Sequence, residues 1–219
     1  MSQENQKTLE VYAQHYDTYA KNTIAHDLLD PDKAAQKRAK LHDFIRHNFA
    51  KFPPQTSKIV EIGAATGEES RYLASLGYDV LATDATSGFL SDLSIDGIRT
   101  QTFNILEDEF PYPVDGILCW RVFVHFTVLD LKIALQKCYD ALKPGGRLIF
   151  NVMNRAAHDV DAQWVDFPNE YHMGAERYYH YFDNNEMFRI LGRIGFRTVN
   201  FFQEGGDNKN KWLVFVVEV

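Results

Sequence analysis

"IVEIGAATGEESRYL", residues 59–73, decides the fold. A short apolar run carries an acid, Glu61, near its end. A loop of small residues, Gly63, Ala64, Ala65 and Gly67, follows, and then a stretch of helical character. A chain that leaves a strand this tightly does so when its backbone must approach a ligand, and the helix start supplies unpaired N–H groups for it. A strand-to-helix turn with no ligand is the plain alternative, because small residues permit that as well.

Outward from this stretch the chain alternates. Strands are expected at 58–62, 78–83, 98–103, 114–119 and 146–153, with helices near 67–76, 86–94 and 127–142. The third of these helices carries Leu131, Leu135, Cys138 and Leu142 on one stripe, and "KPGG" at 143–146 ends it. Such alternation implies right-handed crossovers and a mainly parallel sheet covered on both faces. The C-terminal part differs. A helix with Met187, Ile190, Leu191 and Ile194 leads to a strand near 196–202, and the loop "QEGGDNKNK" connects it to "WLVFVVEV". Two strands joined by a turn-rich loop form a hairpin, so the final strand runs antiparallel. Upstream, residues 1–52 read as two helices. Tyr12, Tyr16 and Tyr19 share a face of the first; Asp30-Pro31 opens the second, which buries Leu41, Phe44, Ile45 and Phe49.

Composition narrows the function. The 219 residues suit one domain with a full core; 45% are hydrophobic and 24% charged. A formal net charge of −7 gives no electrostatic footprint for nucleic acid or for an anionic membrane surface. The start "MSQENQKTLE" lacks the pattern of a signal peptide, and no apolar run is long enough to span a bilayer. Cys119 and Cys138 sit in apolar patterns and read as reduced, buried thiols. The expected location is cytoplasmic.

Asp84, in "VLATDAT", ends the second strand 21 residues after Gly63. A carboxylate there can accept hydrogen bonds from the vicinal hydroxyls of a ribose; helix capping by Asp84 and Thr86 is the alternative. Loop and acid together point to a nucleoside-containing cofactor, either a nicotinamide dinucleotide or S-adenosylmethionine. The glycine spacing is not G-x-G-x-x-G, and Glu68 and Glu69 occupy the first helical turn. Two carboxylates repel a pyrophosphate but not a sulfonium and an amine, so charge favours S-adenosylmethionine.

From Lys58 onward the chain resembles a class I S-adenosylmethionine-dependent methyltransferase of the small-molecule type. "VEIGAATGEE" resembles the family's acid-then-glycine loop, with Ala65 where the family usually has glycine; "ATDAT" resembles its ribose-binding acid motif. "FNILEDEFPYPVDGILCW" is similar to the adenine-flanking stretch, and "LKPGGRLIF" to the turn into the fifth strand. "YAQHYDTYA" resembles a Tyr-Asp segment found ahead of the core. The implied fold is a Rossmann-like, doubly wound, seven-stranded sheet with N-terminal helices and a lid, all within one domain spanning 1–219. The implied cofactor is S-adenosylmethionine, with S-adenosylhomocysteine as product.

On that resemblance the cofactor site comprises Tyr16, Glu61 (methionyl amine), Gly63, Ala64, Ala65, Gly67, Asp84, Ala85, Asn104 and Ile105 (adenine), and Cys119, Trp120 and Arg121 beside the sulfonium. Arg121 is equally a candidate to grip an anionic acceptor, or to form a salt bridge. The connection 154–182 is long and aromatic, and is expected to close over the site as a lid. It contributes Trp164, Tyr171, His172 and Tyr178 as candidate acceptor contacts, facing Tyr12 and Tyr19. His125, His172 and His180 are the candidate general bases, with backbone-satisfied histidines as the alternative. No metal is expected. The amino-methyltransferase Asn/Asp-Pro-Pro-aromatic signature is missing after the fourth strand, which reads Cys-Trp-Arg-Val. The expected partner is a small organic acceptor, with the chain a monomer or homodimer. A non-catalytic donor-binding protein and an NAD-dependent oxidoreductase are the competing classes.

Overall fold

Ile59, Val60 and Ile62 are almost completely buried because the strand that carries them lies at the middle of a sheet, covered on both faces. The computed structural model describes residues 1–167, 172–205 and 211–219, apart from the side chain of Asp92. Helix α1 (Gln3–Leu29) and α2 (Pro31–Phe49) lead into β1 (Lys58–Ile62), α3 (Glu68–Ser75), β2 (Asp79–Asp84), α4 (Ser91–Ile95) and β3 (Arg99–Thr102). Then come β4 (Val114–Cys119), α5 (Val128–Ala141), β5 (Leu142–Asn154), β6 (Ala162–Val165), β7 (Arg177–Phe182), α6 (Asn184–Ile194), β8 (Arg197–Glu204) and β9 (Trp212–Glu218).

Strands β3, β2, β1, β4 and β5 lie side by side and parallel. Beyond β5 runs β9, antiparallel to it from Arg147↔Glu218 to Met153↔Trp212, and β8 pairs antiparallel with β9 in turn. This is the expected sheet, with its antiparallel C-terminal strand. One face is packed by α5 and α6 around Leu135, Cys138, Met187 and Leu191. The other is packed by α2 and α3 around Ile45, Phe49 and Leu73.

Local chemistry fixes the ends. Asp30 accepts from Lys33 N–H at 3.1 Å, with Pro31 in the first helical position, so α2 starts where the sequence says it does. Asp183 caps α6 in the same way, and Gly195 ends it at φ +114. Helix α5 stops at Ala141, ahead of "KPGG", and pairing with β4 already begins at Leu142, which was expected on the helix. An irregularity follows, in which Gly145 N–H donates to the Val219 carbonyl at 3.0 Å.

The segment 154–182 departs from expectation. It contains an antiparallel hairpin, β6 on β7, paired from Ala162↔His180 to Val165↔Arg177. Strand β7 extends the sheet beside the end of β5 through Met153↔Tyr181 and Asn154↔Phe182. The described sheet therefore has nine strands, not seven. Its aromatics alternate along strands, so they are consumed by packing: Tyr179 and Tyr181 are buried with Val124 and Met153.

Candidate functional site

The carboxyl ends of β1, β2 and β4 open into a cleft of about 740 Å3. Its floor is the backbone of 63–66, Asp84 and Ala85, with Asn104 and Ile105 at one side and Trp120 and Arg121 at the other. Tyr12 and Tyr19 of α1 form part of its roof.

The glycines of the opening loop have a packing reason. Gly63 has φ +73, and a Cβ on it would lie 2.2 Å from Val122 Cγ2. Gly67 has φ +75, and a Cβ there would lie 2.1 Å from Leu93 Cδ2. Both positions exclude side chains because the protein itself occupies the space. Between them Ala65 also takes a left-handed φ, +43, at an intrinsic cost of about 1–2 kcal/mol. Its N–H compensates by donating to Asp84 Oδ2 at 3.0 Å.

Asp84 is buried, and its other oxygen, Oδ1, accepts from Thr86 N–H at 2.8 Å. Each oxygen retains further acceptor capacity, and Asp84 lines the cleft. The brace and the ligand-facing carboxylate are therefore the same group. Burial pushes its pKa up to about 6, against the two backbone donors. Glu61, also buried, accepts a hydrogen bond from the Ser70 hydroxyl. Desolvation, with Glu69 and Asp84 close by, holds the Glu61 carboxyl well above its usual range. Glu69 is raised as well, chiefly by desolvation, although Arg121 and Arg38 pull it down. Three acids thus crowd one end of the cleft, each paying for its negative charge.

His125 sits in a short turn, Phe123–His125, and lines the cleft. Its Nδ1 lies 2.7 Å from the Tyr178 carbonyl and its Nε2 lies 3.0 Å from the Tyr12 hydroxyl. A carbonyl only accepts, so Nδ1 carries the proton. Burial takes the ring's pKa down to about 3, so it is neutral, Nε2 is an acceptor, and Tyr12 donates to it. Arg177, fully buried, stands 3.4 Å from the Tyr12 oxygen through Nη1. Tyr178 N–H donates to Thr8 Oγ1 at 3.0 Å. The hairpin consequently grips α1 rather than the cleft.

Several expected site residues lie elsewhere. No described residue of 154–182 lines the cleft. His172 pairs with Asp166 at 2.9 Å, and His180 Nδ1 meets the Tyr178 hydroxyl at 3.1 Å, both on the hairpin itself. Trp164 is exposed on a shallow groove with Lys7 and Glu176, edge-on to Tyr178 at 5.8 Å between ring centres. Tyr171 lies outside the described residues. Among the cofactor candidates, Cys119 points into the core, because strand alternation turns it away from the cleft, and burial raises its thiol pKa well above normal. Gly67 lies behind the loop. Tyr16 covers Gly88, where a Cβ would lie 2.7 Å from its ring, and stands edge-on to Phe89. Asn104 faces the cleft with Oδ1 accepting from Leu106 N–H at 3.1 Å.

The sequence reading also missed a wall. Helix α2 and the β8–β9 hairpin contribute Lys37, Lys40, Phe44, Phe202 and Trp212. Among the described residues no three His, Cys, Asp or Glu group as a metal site would, and no helix is long and apolar enough to cross a membrane.

A family profile described as "Methyltransferase domain" matches residues 34–200. A ubiquinone biosynthesis O-methyltransferase of Xylella fastidiosa is 30% identical over 111 residues, 47% of this chain and 44% of that protein. A malonyl-[acyl-carrier protein] O-methyltransferase of Erwinia billingiae is 23% identical over 125 residues, 52% of this chain and 47% of that protein. The chain thus spans less than half the length of these curated relatives. An S-adenosylmethionine-dependent methyltransferase of Clostridium acetobutylicum superposes with a TM-score of 0.70 at 15% identity, over 93% of this chain and 98% of that one. The Burkholderia thailandensis 1,6-didemethyltoxoflavin-N1-methyltransferase, solved with its substrate and S-adenosylhomocysteine, gives 0.68 at 17% identity over 100% and 91%. At those identities the likeness is one of fold.

Proposed function

The chain belongs to the methyltransferase-domain family, and on that footing we propose that it methylates a small-molecule acceptor at the expense of S-adenosylmethionine, using the cleft above β1, β2 and β4. The observation that carries this reading is the clustering of Glu61, Glu69 and Asp84 at one end of the cleft, where desolvation penalises each charge. A ligand with a sulfonium and an ammonium relieves that penalty; a dinucleotide pyrophosphate deepens it.

When bound, S-adenosylmethionine supplies a methyl group whose carbon bonds to the acceptor's lone pair while the carbon–sulfur pair returns to sulfur, leaving S-adenosylhomocysteine. The chain's own residues hold, orient and exclude water. Asp84 accepts from the ribose hydroxyls, Glu61 and Glu69 face the methionyl amine, and Asn104 and Ile105 flank the adenine. His125, neutral and committed to Tyr12, orients that tyrosine and takes no proton near neutral pH. The domain boundaries, one unit over 1–219, belong to the same proposal.

Titration calorimetry with S-adenosylmethionine and with NAD tests the donor; saturable binding of NAD and none of S-adenosylmethionine overturns the reading. Release of S-adenosylhomocysteine from pooled small-molecule acceptors tests turnover.

The raised acids predict a pH dependence. Without ligand, Asp84 binds its proton up to about pH 6, against an ordinary value of 3.8. As pH rises through that window the unliganded fold loses stability, by about 3 kcal/mol once both values are passed. Donor binding needs the carboxylate, so affinity climbs with pH up to about 6, roughly tenfold per pH unit for one proton, and then levels. Calorimetry at pH 6 in buffers of different ionisation enthalpy should register proton release; zero release counts against the assignment of Asp84.

A further inference from the structure

The cleft wall away from Glu61, Glu69 and Asp84 has a different chemistry. Helix α2 turns one face to it: Lys37, Lys40, Leu41 and Phe44 follow the spacing of a helical stripe, and all line the cleft. Opposite stand Phe202 from β8 and Trp212 from β9. Phe44 and Phe202 meet edge to face, 5.2 Å between centres and 83° between planes. All three aromatic rings are half-buried, with surface left towards the cavity.

Charge divides the cleft. The donor end holds Glu61, Glu69 and Asp84. Arg38 pairs with Asp27, at 2.8 Å, and with Glu68, and its charge also reaches Glu69. Lys37 and Lys40 make no ion pair among the described residues, although both line a cavity. Glu204 is the acid that opposes them, while Arg121, above the Trp212 ring at 5.7 Å, also acts on Glu69. Arg121 also holds a left-handed φ of +62, with its N–H fixed to buried Asn151 Oδ1 at 2.7 Å. A strained non-glycine backbone at a cleft wall, held in place by a buried side chain, marks a position whose side-chain direction matters.

We infer that the far half of the cleft is an acceptor subsite for a planar aromatic acid. Phe44, Phe202 and Trp212 take the ring, and Lys37 and Lys40 take the anionic group. The inference rests on S-adenosylmethionine occupying the acidic half. Aromatic walls favour flat apolar bodies, and unpaired ammonium groups beside them discriminate by charge.

Binding decides it without any turnover. With S-adenosylhomocysteine saturating, 2-naphthoate, 2-naphthamide and 2-naphthylmethylamine are titrated against the full chain, followed by tryptophan fluorescence and calorimetry. Naphthoate should bind about tenfold tighter than naphthamide, and the amine weakest, since two ammonium groups act together although solvent partly screens each contact. In Lys37→Gln/Lys40→Gln, two exposed positions, the preference for the acid should shrink to about threefold or less, with affinity for S-adenosylhomocysteine unchanged. Phe202→Ala should weaken acid and amide alike. Equal binding of acid and amide, or a preference that survives the double lysine variant, overturns the inference while leaving the donor reading intact. Failure of S-adenosylhomocysteine itself to bind overturns the donor reading instead.

Discussion

Asp84→Asn weakens S-adenosylmethionine binding by about 100-fold or more in calorimetric titration, with little change in the stability of the unliganded chain at pH 8. The loss in affinity follows from two charge-assisted hydrogen bonds to ribose hydroxyls, each worth about 1.5–3 kcal/mol. Stability is nearly balanced for a reason peculiar to this site. Asparagine must turn its NH2 towards one of the two backbone donors, Ala65 N–H or Thr86 N–H, and so leaves one of them unsatisfied. That costs about 1–3 kcal/mol. It also removes a carboxylate whose ionisation burial penalises by about as much. An Asn variant that binds the donor normally would reduce Asp84 to a loop brace and undo the proposed cofactor site.

Gly67→Ala should lower stability by about 3–5 kcal/mol, or about 10 °C in melting temperature for a chain of this size. Two costs combine: a left-handed φ of +75 for a residue with a Cβ, and a collision with three atoms of fully buried Leu93 at 2.1–2.6 Å. Gly97→Ala separates them. Gly97 has a similar φ, +78, but a Cβ there meets nothing within 4 Å, so only the backbone cost of about 1–2 kcal/mol remains. Equal melting shifts for the two variants would mean that Leu93 gives way freely.

The sheet was legible in the sequence because its signals are local. Apolar runs and the Asp30-Pro31 start each act within a few residues, and strand alternation with helices fixes the parallel order. The acids of the cleft were legible too, since Glu61 and Asp84 lie at the ends of two strands and Glu69 in the first turn of the helix that follows. The strands within the expected lid went unread for a physical reason. Residues 162–182 have the aromatic content of a lid, but Tyr179 and Tyr181 alternate with Tyr178 and His180 as in a strand that buries one face. The same alternation supplies the Tyr178 carbonyl to His125 and its N–H to Thr8. The far wall was hidden by distance. Phe44 and Phe202 are 158 residues apart, and nothing in either neighbourhood announces the other. Leu41 and Phe44 do pack against the core as expected, but a helical stripe that also borders a cavity has the same period, so their second role gave no signal.

The loop has a consequence for anyone comparing descendants of this chain. Val122 and Leu93 would forbid side chains at Gly63 and Gly67 whether or not a donor ever entered, so a lineage that had abandoned methylation would go on displaying both glycines. Its acids would be under no such constraint, because the empty protein loses little when the Asp84 carboxylate goes. Erosion of Glu61 and Asp84 beside an untouched glycine loop is therefore the signature of a retired enzyme.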